Sequence, residues 1–434
     1  VANFEKVCKI QIILNHTIRG LMKINTQRLW NHIMELGRIG RNGDGSVTRF
    51  PFTAQDRAAE ELIRRYMEEA GLSVETDAAG NLIGRWMPDT PAESREPVIT
   101  GSHYDTVLQG GKFDGCLGLL GAIEAVQTLR EGGYVPGCPV WVVGFKDEEG
   151  NRFGYGMIGS KAICGKVLPE GLASEDGDGV SLRDAMRSYG LSPEELDTCR
   201  VDQIKAMLEL HIEQGQVLEK GDCQIGVVEG IAGLERYTVT IAGSSAHAGA
   251  TPMSGRSDPV PAMSRWILRV TELARARKDC VATVGRIEVR PGTCNIICGE
   301  ARFSLDIRSV RDEDIRDVMG EMERFEATLE EQEHVRITRV LDQSLPGTVC
   351  DEELKKRMEE ICDRNSYSRC RLMSGAGHDS MNFGGLCPVS MIFVPSQGGY
   401  SHRKEEYTLP EDCGAGAQVL MEMIRETAAC KEYL

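Results

Sequence analysis

An α/β domain interrupted by an inserted α+β unit is the architecture this sequence predicts, and three features predict it. Short apolar runs without alternation, Pro97–Thr100 and Val140–Phe145 (VWVVGF), read as strands covered on both faces. Between them Leu117–Leu129 is apolar almost all round, as a helix buried against a sheet should be, so the order is strand, helix, strand. From about residue 231 to 342 the pattern changes to strict alternation, which marks strands with one buried and one solvated face.

In chain order, residues 1–25 are expected to be an extension outside the fold. The chain starts at Val1, its first methionine is Met22, and the apolar stretch Ile10–Leu14 is broken by Gln11 and has no small-residue cleavage site. Ala54–Ala70 predicts a helix with Ala58, Leu62 and Met67 near one face, charge on the other, and Gly71 as its stop. In the insert, Tyr237, Val239 and Ile241 alternate with Arg236, Thr238 and Thr240. Phe303, Leu305 and Ile307 alternate in the same way with Ser304, Asp306 and Arg308. Helices near Pro259–Arg277 and Asp312–Glu333 are expected to cover the buried face of that antiparallel sheet. Val389–Val394 (VSMIFV) and a helix over Gly414–Glu426 return to the first style. The expected division is therefore 26–230 and 343–434 for the α/β domain and 231–342 for the insert.

Composition narrows the function. The 434 residues carry 50 Lys+Arg against 66 Asp+Glu, a net charge of −16, and 41% are hydrophobic, enough for ordinary cores. So acidic a chain argues against a nucleic-acid or anionic-membrane surface, and no run approaches the ~18 apolar residues of a spanning helix. Fifteen cysteines without a C-x-x-C pair read as free thiols in a reducing cytoplasm. The expected partner is a small molecule.

Candidate chemistry gathers beside those strands. His103 lies in TGSHYDTV just past an apolar run, where open α/β sheets place ligand-binding groups, and Asp105 two residues on could accept its ring N–H. Asp114 sits in GGKFDG, Glu148 and Glu149 in KDEEG after VWVVGF, His211 in LELHIEQG, and His402 in GGYSHRKEE. Singly, each has an ordinary reading: a surface histidine, or a solvated acidic turn. Their repeated occurrence at strand ends and glycine turns argues for one site. A His and carboxylate set without cysteine suits zinc, manganese, cobalt or nickel better than calcium or magnesium, and carboxylates can bridge two ions.

The segments GSHYDTV, GGKFDG, DEEGNRF, ELHIEQG, SAHAGATPM, GTCNIICGE, SGAGHDS and GGYSH, in this order from about Arg28 to near Glu426, resemble the amidohydrolase branch of the M20 metallopeptidase family. That branch holds N-carbamoyl-L-amino-acid hydrolases, allantoate amidohydrolases and β-ureidopropionases. The resemblance implies a zinc-peptidase-like catalytic domain with a mixed sheet, an inserted dimerisation or lid domain, and a cytoplasmic homodimer. It also implies two divalent ions per subunit, one held by His103, Asp114 and His211 and the other by Asp114, Glu149 and His402. Glu148 would be the general base and His247 the oxyanion stabiliser. Gln214, Asn295 and Arg308 would read a substrate carboxylate, and His378 would lie near the substrate. The implied reaction is hydrolysis of a linear ureido C–N bond, with N-carbamoyl-L-amino acids ahead of allantoate. An aminoacylase, a dipeptidase and a non-catalytic binding protein stand further back, the last because all six metal and base positions are filled. Cys294 and Cys298 are expected to be packing residues.

Overall fold

The computed structural model describes residues 22–88 and 95–429. Its strands are β1 Ser73–Thr76, β2 Leu82–Trp86, β3 Val98–His103, β4 Val140–Phe145, β5 Ala206–Ile212, β6 Ile225–Ile231, β7 Gly233–Ala242, β8 Cys280–Thr283, β9 Ile287–Arg290, β10 Glu300–Ser309, β11 Arg336–Leu345, β12 Thr348–Val349, β13 Arg369–Ser374 and β14 Val389–Val394. The described residues form two units, one of those within 1–229, 350–372 and 378–434, the other of 230–349 and 373–377.

The first unit is built on a mixed sheet ordered β1-β2-β4-β3-β5-β14-β6. β4, β3, β5 and β14 run parallel, while β2 and β6 flank them antiparallel. The parallel strands β3, β5 and β14 are buried along their whole length, which is why they lack alternation. The helix Cys116–Glu131, buried on nearly every side, packs on β3 and β5 and against the helix Pro410–Thr427. β3 runs three residues beyond the expected Pro97–Thr100, so His103 is the last residue of the strand and not a residue past it.

The second unit is an antiparallel sheet ordered β11-β7-β10-β8, with β9 also paired to β10. Ala301, Phe303, Leu305 and Ile307 point into a core completed by the helices Pro259–Arg275 and Asp312–Glu333. Trp266 anchors that core edge-on to Phe303 at 5.0 Å, its indole N–H donating to Glu326. The insert returns later than expected, at 349 and not 342. β11 continues to Leu345, and Thr348–Val349 pairs with Gly230–Ile231 before the chain leaves the unit.

Two further expectations are corrected. Residues 22–25 belong to the fold: Met22 and Ile24 pack on the core, Ile24 N–H donates to Gln418 and Asn25 N–H to Glu124, and Asn25 caps the helix Thr26–Leu36. Residues 1–21 lie outside the described residues. In the helix Ala54–Glu69, Ala58 is exposed, and the buried face runs through Ala59, Leu62, Ile63, Tyr66 and Met67 with the charged Asp56 and Glu60 on it.

Candidate active site

The parallel strands converge their carboxyl ends. His103 ends β3, which is in register with Phe145 at the end of β4, and Glu148 and Glu149 follow three and four residues later. His211 lies near the end of β5 beside β14, after which the chain turns through His402. Asp114 comes from the turn before Cys116–Glu131. Gly115 there adopts φ 63° and lies so close that a Cβ would stand 2.4 Å from the His103 ring, so glycine is required.

Asp114 is the centre. One oxygen, Oδ1, lies 3.2 Å from His211 Nε2 and 3.7 Å from His103 Nε2, while Oδ2 lies 3.2 Å from His402 Nε2. Glu149 Oε1 is 3.6 Å from the same His402 nitrogen, and Glu148 Oε2 is 3.9 Å from His103 Nε2. Three sets bring ligand atoms within 4.8 Å of one another: His103, Asp114 and His211; Asp114, Glu149 and His402; and His103, Glu148 and Glu149.

The electrostatics follow from burial. Burial opposes the charge on Asp114, but hydrogen bonds to three imidazoles hold its carboxyl well below the usual range. Burial, with Asp114 beside it, pushes Glu149 up to about 7. Glu148 is raised well above an ordinary glutamate, again mainly by burial, with Glu149 and Asp379 adding to it. His402, half exposed, is raised to about 9 by its bond to Asp114.

These residues fit divalent metal on their donor chemistry. His211 Nδ1 lies 2.9 Å from the Ile212 carbonyl and His103 Nδ1 lies 3.2 Å from that of Asp105. With Nδ1–H donated to a carbonyl, each ring turns its Nε2 toward the Asp114 carboxylate, and the Gly115 N–H also donates to His211 Nε2 at 3.2 Å. Imidazole nitrogens this close to a carboxylate favour a cation, a proton or a metal ion, between them.

Asp105 does more than expected. Besides facing His103, its carboxylate accepts the backbone N–H of Glu148 and of Glu149, both at 3.2 Å, and so ties β3 to the turn that carries these two glutamates. Gln214, expected at a substrate carboxylate, donates to Asp114 Oδ2 at 2.8 Å. His378 is buried edge-on to His211 at 4.4 Å, and burial with that neighbour drives its pKa well below the ordinary value. Two residues were not anticipated. Ser401 donates to Asp114 Oδ2, and Glu406 accepts the backbone N–H of Phe113 and Asp114. In the sequence Glu406 is part of RKEEY, which reads as a solvated charge run.

His247, Asn295 and Arg308 belong to the second unit. The His247 and Asn295 segments pair, Ala248 N–H donating to the Asn295 carbonyl at 3.0 Å. His247 Nδ1 accepts from the N–H groups of Gly249 and Ala250, so its proton sits on Nε2, available as a donor. Arg308 already makes a two-bond clamp, to Asp306, and donates to the Gly375 carbonyl, leaving one N–H free on each terminal nitrogen. Cys298 is buried against the Glu300 carbonyl, but Cys294 is exposed, so only one of the pair packs. No disulfide occurs among the described residues.

A mixed α/β sheet whose strand ends deliver histidines and carboxylates around one shared aspartate defines a metal-dependent hydrolase. Residues 99–426 match Peptidase family M20/M25/M40, and the chain belongs to that family. It is 44% identical to an N-carbamoyl-L-amino acid amidohydrolase of Geobacillus stearothermophilus, over 93% of this chain and 99% of that one. It is 35% identical to the allantoate amidohydrolase of Escherichia coli K12, over 91% and 96%. A crystal structure of an amidase of the hydantoinase/carbamoylase family from Burkholderia multivorans superposes with a TM-score of 0.86 at 32% identity, covering 94% of this chain and 99% of that one.

Proposed function

We propose that this protein hydrolyses N-carbamoyl-L-amino acids to the amino acid, carbon dioxide and ammonia, using two divalent ions per subunit. The observation that carries the reading is the split of Asp114, one oxygen toward His103 and His211 and the other toward His402 beside Glu149. One ion would be held by His103, Asp114 and His211, the other by Asp114, Glu149 and His402, with zinc, manganese, cobalt or nickel as candidates. When bound, such ions polarise a carbonyl and lower the pKa of water.

The remaining work falls to side chains. Glu148 Oε2 takes the proton of the attacking water and returns it to the nitrogen leaving the ureido carbon. Its burial keeps its affinity for that proton high. His247 offers Nε2–H to the carbonyl oxygen as negative charge develops there. Arg308 presents its two free N–H groups to the substrate carboxylate, with Asn295 and Gln214 assigned to the same end and His378 near the substrate. A homodimer, a lid role for the inserted unit and a cytoplasmic location complete the reading. No helix among the described residues is long and apolar enough to cross a membrane.

Allantoate is the second reading, favoured by the 35%-identical Escherichia coli relative, whose chain is matched almost end to end. The test is turnover of a panel of N-carbamoyl-L-amino acids, N-carbamoyl-β-alanine and allantoate, with and without chelator. Carbamoyl amino acids are expected to turn over fastest and chelator to abolish the reaction. Allantoate turning over far faster than every carbamoyl amino acid would overturn the substrate assignment.

On the preferred substrate Arg308→Lys is expected to raise KM roughly ten-fold or more, since hydrogen bonds to charged groups contribute about 1.5–3 kcal/mol. Unchanged steady-state kinetics would remove Arg308 from the site.

A further inference from the structure

Behind the strand ends lie two buried cations that touch none of the candidate metal ligands. Lys146, 1% exposed, donates from Nζ to both carboxylate oxygens of Asp56 at 2.9 and 3.0 Å and to the Tyr104 hydroxyl oxygen at 2.6 Å, with Glu60 at 3.8 Å. Asp56, on the helix Ala54–Glu69, also accepts the Phe52 N–H, so the ammonium is tied to a fixed turn. Tyr104 is gripped at its other end too. Its carbonyl accepts from Arg49 Nε at 2.6 Å, and that guanidinium donates further to the carbonyls of Leu36 and Ile39.

Stability alone does not account for this arrangement. Apolar side chains of similar volume often replace a buried ion pair with no loss of stability or with a gain. What the arrangement supplies is a set distance. His103 and Phe145 are the last registered pair of β3 and β4, and the very next residues, Tyr104 and Lys146, join through Nζ and the hydroxyl. One residue after Tyr104, Asp105 catches the N–H groups of Glu148 and Glu149. The link thus extends the strand pairing past its end, between a ligand-bearing strand and the base-bearing turn.

We infer that Lys146, braced by Asp56 and Tyr104, is a positioning residue that sets where Glu148 stands relative to His103. The inference rests on Glu148 as the base. A displacement of about 1 Å in a catalytic group can cost on the order of a hundred-fold in rate.

The test uses two variants of the full chain. Tyr104→Phe removes one hydroxyl and keeps the ring. Lys146→Met with Asp56→Asn removes both charges together. Expected for Tyr104→Phe, saturated with Zn²⁺, is a kcat lower by about ten- to hundred-fold with KM within two-fold, the range seen when groups supporting metal ligands are lost. Zn²⁺ affinity of the metal-free protein, read by competition with a chromophoric chelator, should fall by a similar factor because His103 is displaced with its strand end. The double variant, if folded, should show the same split. Should it fail to fold, Tyr104→Phe decides alone. A Tyr104→Phe protein with a lower melting temperature but kcat and Zn²⁺ affinity within two-fold of the parent overturns the inference, as does a rise in KM at constant kcat. Neither result touches the base assignment, which fails separately if Glu148→Gln stays active.

Discussion

Glu148→Gln is expected to lower kcat by about 10²–10⁴-fold, the range lost with a general base, while bound metal stays at the parent level. The amide has nearly the shape of the carboxyl, and the backbone N–H that Asp105 holds is untouched, so the turn should keep its position. What is lost is a group able to take a proton and give it back. Glu148 is buried and its carboxyl is raised by that burial, which is how an acid is tuned to hold a proton in transit. KM should move little, since the reading places substrate recognition on other residues. The checks are steady-state kinetics and elemental analysis of the same sample. Loss of metal in this variant would instead make Glu148 a ligand, a role compatible with its place beside His103 and Glu149.

Asp114→Asn is expected to remove metal and activity together. The carboxylate faces histidines on both sides, and its Oδ2 also accepts from Gln214 and Ser401. An amide of the same size offers one acceptor and one donor where two anionic acceptors stood. Its NH₂ would either donate to the Nε2 lone pairs of His103 and His211, occupying them as metal donors, or meet the hydrogens donated by Gln214 and Ser401. The variant should therefore bind less than one equivalent of Zn²⁺ under conditions that load the parent, as read by elemental analysis after gel filtration. Two ions retained at full activity would exclude Asp114 as a bridge.

The candidate metal ligands were legible because each sits in a short segment whose local pattern names its place: a histidine or acid at or near the end of an apolar strand, or an aspartate between glycines. His103, Glu149, His211 and His402 met around Asp114 for that reason. Arg308 was not legible from its spacing, which reads as a surface cation; the resemblance alone singled it out as a carboxylate clamp, and the clamp seen is made to Asp306.

Other features were not legible, because their meaning lies in contacts across the chain. Glu406 looks like surface charge until it is seen to hold the Phe113 and Asp114 amides, 293 and 292 residues away. Asp56 and Glu60 look like the wet side of a helix until Lys146 arrives from 90 and 86 positions on. The insert's return point depended on two residues of β12, too short to show a period.

The sequence by itself determined the two styles of sheet, the order of the elements and the chemical type of the site, because periodicity and residue chemistry are local properties. Only the tertiary structure decided which acids are spent on backbone amides, which face the histidines and which neutralise buried cations. Those choices depend on burial and on distances of a few ångströms between segments that the chain order leaves far apart.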